Sequence, residues 1–295
     1  MATIATALTI TPAHPAFAAE IGGVDLTQPL DDATFERVAT AFDDHSVLVF
    51  RGQALSDAQQ MAFSERWGPL ETTVRTLGGE DRLGAHIVDL SNTDADGKLM
   101  GWDDRRMLYQ SGNQLWHSDS SFQKPAARYS MLHSVVIPDK GGETEFADLR
   151  AAYDALPTKT KGEIEGLIAE HSIWHSRAQL AVTKYTDEEI KSLPPVPQRV
   201  VRTHPGSGRK TLYVAAHASH IIGKPVADGR LLLLDLIEHA TQRRFVHSHT
   251  WQQGDLVIWD NRCTMHRARP FDTTKVRDLR RVTTRDVAST LEQAA

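Results

Sequence analysis

Short apolar runs rich in Val, Ile, Leu and Thr recur along the chain and predict strands. They fall at residues 46–50, 85–90, 129–137, 199–203, 211–215, 255–259 and 281–285. Between them a few stretches repeat at helical spacing. Residues 32–44 place Phe35, Val38, Ala39 and Phe42 on one face. Ser56 can cap a helix that carries Met61, Ala62 and Phe63. Residues 161–171 and 230–243 read as helical by the same test, and Pro194-Pro195 and Pro205-Gly206 mark loops. There are no repeats and no low-complexity linker. The expected fold is mainly β with helical insertions, a β-sandwich or jelly roll, as a single domain over residues 1–295.

Composition narrows this picture only modestly. The chain has 295 residues, 24% charged and 40% apolar, as in ordinary soluble globular proteins. A formal charge of -5 gives no reason to expect a nucleic-acid partner. One cysteine, Cys263, excludes an intrachain disulfide. Residues 1–19 hold no Lys or Arg and no continuous apolar stretch, so they do not read as a signal peptide. No run is long enough to span a bilayer. A cytoplasmic protein with a small-molecule partner is expected, as a homo-oligomer of two or more copies. The unusual number is 14 histidines, which directs attention to metal ligands.

The segment Asn113-Gln-Leu-Trp-His117-Ser-Asp119 contains His-x-Asp. Alone it carries little weight, since about one such triplet is expected by chance in a chain of this composition. A third ligand candidate, His266, follows a strand and a polar turn in Trp259-Asp-Asn-Arg-Cys-Thr-Met-His266. Two histidines and a carboxylate make the facial triad of non-haem iron oxygenases, which leaves coordination positions open. A closed zinc site would prefer thiolates that this chain lacks. In extended backbone His117 and Asp119, two apart, point to one face and can chelate together. Beyond His266, Arg277 and Arg281 are four apart and share a strand face, roughly 13 Å from each other. Inward arginines need anions, and guanidinium matches carboxylate in a two-pronged fork. His171 and His175 lack the glutamate of a zinc-protease motif. His45, His86, His133, His204 and His239 have no partner that the sequence identifies, and His247 and His249 read as one face of a strand.

With these residues in place, the chain resembles the taurine dioxygenase and 2,4-dichlorophenoxyacetate dioxygenase family of iron/2-oxoglutarate enzymes. The likeness runs from Gly22-Gly-Val-Asp-Leu to Arg281. It includes Val47-Leu-Val-Phe-Arg-Gly-Gln53, Trp116-His117-Ser-Asp119, Gly141-Gly-Glu-Thr144 and the segment ending at His266. Asn113-Gln-Leu-Trp-His-Ser-Asp-Ser-Ser-Phe, Pro125-Ala-Ala-Arg-Tyr-Ser-Met-Leu and Ala216-His217-Ala-Ser-His220 bring it nearer the 2,4-dichlorophenoxyacetate branch. The resemblance implies a double-stranded β-helix with iron(II) on His117, Asp119 and His266. It implies Thr144 and Arg277 for the distal carboxylate of 2-oxoglutarate. Arg281 and His217 would meet the substrate carboxylate, with Asn113 nearby. O2 would be consumed with 2-oxoglutarate and a hydroxyl delivered to the substrate, here an aryloxyacetate that then splits into a phenol and glyoxylate. The sulfonate branch carries a substrate histidine where this chain reads Trp67-Gly-Pro-Leu-Glu-Thr-Thr73, which argues against taurine. Other organic acids, such as N-acyl amino acids, alkyl sulfonates or sulfates, are the alternative substrates. A metal-free jelly roll that only binds a carboxylate is the alternative class. Trp116 adjoins His117, so its indole is an expected target of self-oxidation when substrate is absent.

Overall fold

The computed structural model describes residues 7–72 and 83–293. Its largest sheet has seven strands. In spatial order they are Thr9–Pro12, Ala19–Gly22, Val47–Phe50, Leu256–Asp260, Ala127–Val136, Asp278–Arg285 and Ile87–Asp89. All neighbours run antiparallel except Ala19–Gly22 with Val47–Phe50. A three-stranded antiparallel sheet, Val246–His249, Thr144–Asp148 and Thr264–Ala268, carries His266 and Thr144. A second three-stranded sheet centres on Ile168–His171, and Val201–Thr203 pairs with Lys210–Leu212.

Strand alternation divides the apolar residues between two cores. Val47, Val49, Leu132, Val257, Trp259 and Leu279 of the large sheet pack against Phe146 of the small one. Leu48, Phe50, Met131, Leu256 and Ile258 point the other way, onto Val38, Ala41 and Phe42 of the helix Asp32–His45. Burial on both faces explains why Val47–Phe50 and Leu256–Asp260 read as unbroken apolar runs. The outer face of the small sheet, through Ala147 and Met265, packs on Leu233, Leu236 and Ala240 of the helix Val226–Ala240.

Local signals set several helix ends. Asp31 accepts from the Thr34 amide to start the first helix. Ser56 caps Asp57–Glu65, as the sequence predicts, and Gln59 completes a reciprocal capping box. Other expectations need correction. The helix expected over 161–171 is Thr158–Ile164; Gly166, at φ 73, reverses the chain and Ile168–His171 becomes a strand. The helix expected at 230–243 starts at Val226 and ends at Ala240, before the single turn Arg243–Phe245. The run 199–203 is split between Val196–Arg199 and Val201–Thr203, and Lys210–Leu212 ends before residues 213–215.

Phe146 joins the two sheets: it is fully buried, 5.4 Å from the Trp259 ring and 6.0 Å from that of His266. Phe146→Ala should lower unfolding free energy by about 3–5 kcal/mol, read from denaturant melts of the purified protein. A loss below about 1 kcal/mol would show that the sheets do not depend on this contact.

Candidate metal and cosubstrate centre

His117 and His266 meet as backbone partners. The His117 amide donates to the His266 carbonyl at 3.0 Å, and the His266 amide donates back at 2.8 Å. Their ring centroids lie 4.1 Å apart. Asp119 follows His117 by two residues, before Ser120 turns the chain at φ 45. Its amide donates to Asn261 Oδ1 at 3.0 Å, and Ser130 Oγ donates to its Oδ2 at 2.7 Å. Asn261 Nδ2 donates to the same Ser130 oxygen, and Trp259 Nε1 donates to Asn261 Oδ1. Arg281 Nη1 donates to Asp119 Oδ1. The carboxylate is thus held at both oxygens, and its backbone amide is held by Asn261.

His117 Nε2 lies 3.7 Å from Asp119 Oδ1, and His266 Nε2 lies 3.7 Å from Oδ2. His117 Nδ1 donates to the Leu115 carbonyl at 2.8 Å, which puts the proton there and leaves the Nε2 lone pair toward the carboxylate. Burial lowers the pKa of both imidazoles, so they are neutral. Burial pushes the Asp119 carboxyl up, but the Arg281 guanidinium beside it, with the Ser130 hydroxyl, outweighs that and holds the carboxyl below its usual range. Two neutral nitrogens and one carboxylate, with ligand atoms within 4.8 Å of one another, fit a divalent cation of the facial-triad kind.

A cavity of about 220 Å³ opens beside the His117 and His266 side chains. Leu90, Leu132, Leu279, Phe271 and Trp259 supply apolar walls; Asn113, Thr144, Arg277 and Arg281 supply polar points. Arg277, Leu279 and Arg281 all face it, so the alternation expected of the two arginines holds along Asp278–Arg285. The bulge near Asp278 does not break it, because the skipped residue lies on the partner strand. Arg277 is almost fully buried, and burial lowers its pKa to about 10. Its only side-chain hydrogen bond among the described residues goes to the Gly142 carbonyl, at 3.4 Å. Trp251 Nε1 donates to Thr144 Oγ1 at 3.1 Å, which leaves that hydroxyl's own hydrogen for an incoming acceptor. Gly142, at φ 75, lets the backbone approach Arg277; a Cβ there would sit 3.2 Å from Nε.

Across the whole chain, residues 9–283 match a family described as "Taurine catabolism dioxygenase TauD, TfdA family". The chain belongs to this family. It is 52% identical to the alpha-ketoglutarate-dependent 2,4-dichlorophenoxyacetate dioxygenase of Cupriavidus pinatubonensis, over 94% of this chain and 97% of that one. It is 38% identical to the (S)-phenoxypropionate/alpha-ketoglutarate-dioxygenase of Delftia acidovorans, over 90% and 91% of the two chains. Its fold matches the crystal structure of AAD-2 in complex with Mn(II) and N-oxalylglycine, with a TM-score of 0.90 and 47% identity. That match covers 97% of this chain and 100% of the other. As a TauD/TfdA-family chain this protein is a dioxygenase.

Of the other residues singled out from sequence, His217 is buried on the far side of His117, ring centroids 6.1 Å apart, and its Nδ1 pairs with Ser176 Oγ at 2.9 Å. It does not line the main cavity, whereas Asn113 does. Trp116 packs against the core around Met265 and carries the Arg267 guanidinium 4.6 Å from its ring. The indole beside His266 is Trp259, at 4.6 Å. His204 gains the partner that the sequence does not reveal: its Nε2 lies 2.9 Å from Asp260 Oδ2. With Cys263 these two also form a tight cluster of possible ligands. Arg262 saturates Asp260 through Nε and Nη2, so this is an ion-paired support for the turn before His266 rather than a metal site. Sequence reasoning also passed over Glu71, which accepts from Ser120 Oγ beside Asp119. Its carboxyl is raised by burial. Thr73, the end of the segment read as Trp67-Gly-Pro-Leu-Glu-Thr-Thr73, lies outside the described residues.

Each of His117→Ala, Asp119→Ala and His266→Ala should abolish succinate formation and weaken cobalt(II) binding measured by titration. Near-normal succinate formation by Asp119→Ala would disprove the ligand assignment. Arg277→Ala should raise the Kd for 2-oxoglutarate by about 10- to 100-fold, the worth of one charge-assisted two-pronged contact. An unchanged Kd would remove Arg277 from the cosubstrate site.

Proposed function

We propose that this dioxygenase uses iron(II), O2 and 2-oxoglutarate to hydroxylate an aryloxyacetate such as 2,4-dichlorophenoxyacetate at the carbon beside the ether oxygen. The resulting hemiacetal collapses to a phenol and glyoxylate. The observation that carries this reading is the pairing of His117, Asp119 and His266 with a buried arginine, Arg277, that has no anion among the described residues and lines the same cavity as the two histidines. The 52% identity to a relative named for that reaction supports the substrate class.

In this reading His117, Asp119 and His266 hold the iron. The bound metal, with O2 and 2-oxoglutarate, supplies the oxidising power that replaces a substrate C–H by C–OH, with succinate and CO2 as coproducts. The protein's part is placement. Arg277 and Thr144 hold the distal carboxylate of 2-oxoglutarate. Leu90, Leu132, Leu279 and Trp259 keep water from the reacting carbon. Asn113, His217 and Arg281 face the substrate, and an anchored carboxylate fixes which C–H is presented. We read the large and small sheets, packed through Phe146, as the two faces of a jelly roll within a single domain. The lone, buried Cys263 suits a reducing cytoplasm, where we expect a homo-oligomer.

A panel of aryloxyacetates, alkyl sulfonates and sulfate esters tests the substrate class, with succinate and phenol measured together. Phenoxyacetates should release phenol and succinate in equal amounts, and their methyl esters should release neither. Robust turnover of taurine with none of any aryloxy acid would overturn the reading.

A further inference from the structure

Two buried arginines, Arg277 and Arg177, and the half-buried Arg281 surround the centre, and among the described residues only Arg281 pairs with a carboxylate. Arg281 is neutralised by Asp119. Arg277 faces the cavity end given above to the cosubstrate. The third, Arg177, comes from the short helix Ile173–Ala178 and is 4% exposed. Its Nη1 donates to Ser176 Oγ at 3.3 Å, and its buried Nε has no hydrogen-bond partner. Among the described residues no carboxylate pairs with it. Its guanidinium lies over the Tyr109 ring, 4.4 Å from the centroid. A cation over a ring gains roughly 0.5–2 kcal/mol, less than the several kcal/mol that burial of an unpaired charge costs. The arrangement is one anion short.

The position of Arg177 identifies that anion. The guanidinium presses on Gly112, where any Cβ would collide with Nη1, Cζ and Nε. Gly112 sits in the 3-10 turn Ser111–Gln114, and Ser111, Asn113 and Gln114 all line the cavity. Ser176 Oγ, the acceptor for Arg177, also bonds Nδ1 of His217 at 2.9 Å. Arg177 and His217 therefore converge through one hydroxyl, beside ligand His117 and away from Arg277.

We propose that Arg177 is the cationic anchor for the substrate carboxylate, with His217 as its hydrogen-bonding neighbour. This rests on the reading of the site as a 2-oxoglutarate dioxygenase for carboxylate substrates. Arg281, paired with Asp119, then orients that carboxylate and borders the substrate. Gly112 is small because the guanidinium occupies the space of a side chain.

The test is equilibrium binding to enzyme loaded with cobalt(II) and 2-oxoglutarate, with phenoxyacetate and the neutral phenoxyacetamide as probes. Arg177→Gln should weaken phenoxyacetate binding by about 10- to 100-fold and leave phenoxyacetamide within about 3-fold, so the preference for the acid collapses. Arg177→Lys, which keeps the charge but not the fork, should fall between the wild type and Gln. Gly112→Ala, which leaves Arg177 in place but displaces its guanidinium, should also reduce acid binding more than amide binding. It serves as the deciding variant if Arg177→Gln does not fold. Equal loss of acid and amide would mean a purely structural role and overturn the proposal, as would wild-type acid affinity in folded Arg177→Gln. Wild-type enzyme that binds no carboxylate probe would sink the proposed function as well, which separates the two failures.

Discussion

Asp119 stays ionised at 3% exposure because Arg281, Ser130 and the amide-holding Asn261 surround it. An isolated carboxylate in that position would take up a proton rather than meet the cost of desolvation. Its negative charge is what turns two neutral imidazoles into a site for a divalent cation. The surrounding structure follows from keeping it there. Ser130 comes from the central strand Ala127–Val136, Asn261 from the turn after Leu256–Asp260, and Arg281 from Asp278–Arg285. These strands are neighbours in the large sheet, so the carboxylate is fixed by the most extensively paired part of the molecule.

The small sheet supplies the other half of the centre. Pairing of His266 with His117 brings the His-x-Asp turn onto the edge of that sheet, and Phe146 beneath them locks the two sheets together. Strand parity then sorts the remaining groups. Arg277, Leu279 and Arg281 point into the cavity, while Arg280 points outward to Asp57 and Asp278. One strand thus presents Arg277, the apolar Leu279 and the Asp119 partner Arg281 to the cavity in turn, with spacing set by the pleat.

Charge balance separates the arginines more sharply than position does. Arg262 and Arg150 have carboxylates beside them and support the fold. Arg281 has one and supports the metal ligand. Arg277 and Arg177 have none among the described residues, and both lie against the cavity or its wall. Buried cations without partners mark where ligands with negative charge belong.

Much of the centre was legible in the sequence because its signals are local. His117 and Asp119 are two apart, Arg277 and Arg281 are four apart, and alternation alone puts each pair on one face. Ser56 announced a helix start by its capping hydroxyl, and the structure adds Gln59 as the reciprocal half of the cap. The apolar runs at 46–50 and 255–259 announced strands, and the structure shows Val47–Phe50 and Leu256–Asp260 covered on both sides. Where local signals conflict, as at 161–171, helical spacing ran across a glycine that the fold uses to reverse the chain. Contacts between residues far apart in sequence were decided only by the tertiary structure. It made His117 and His266 backbone partners, gave Asp260 to His204, gave Asp119 to Arg281 and left Arg177 pressed against Gly112 without an anion. The physical reason is that the state of a charge depends on what is buried around it, and burial is a property of the assembled sheets rather than of any segment.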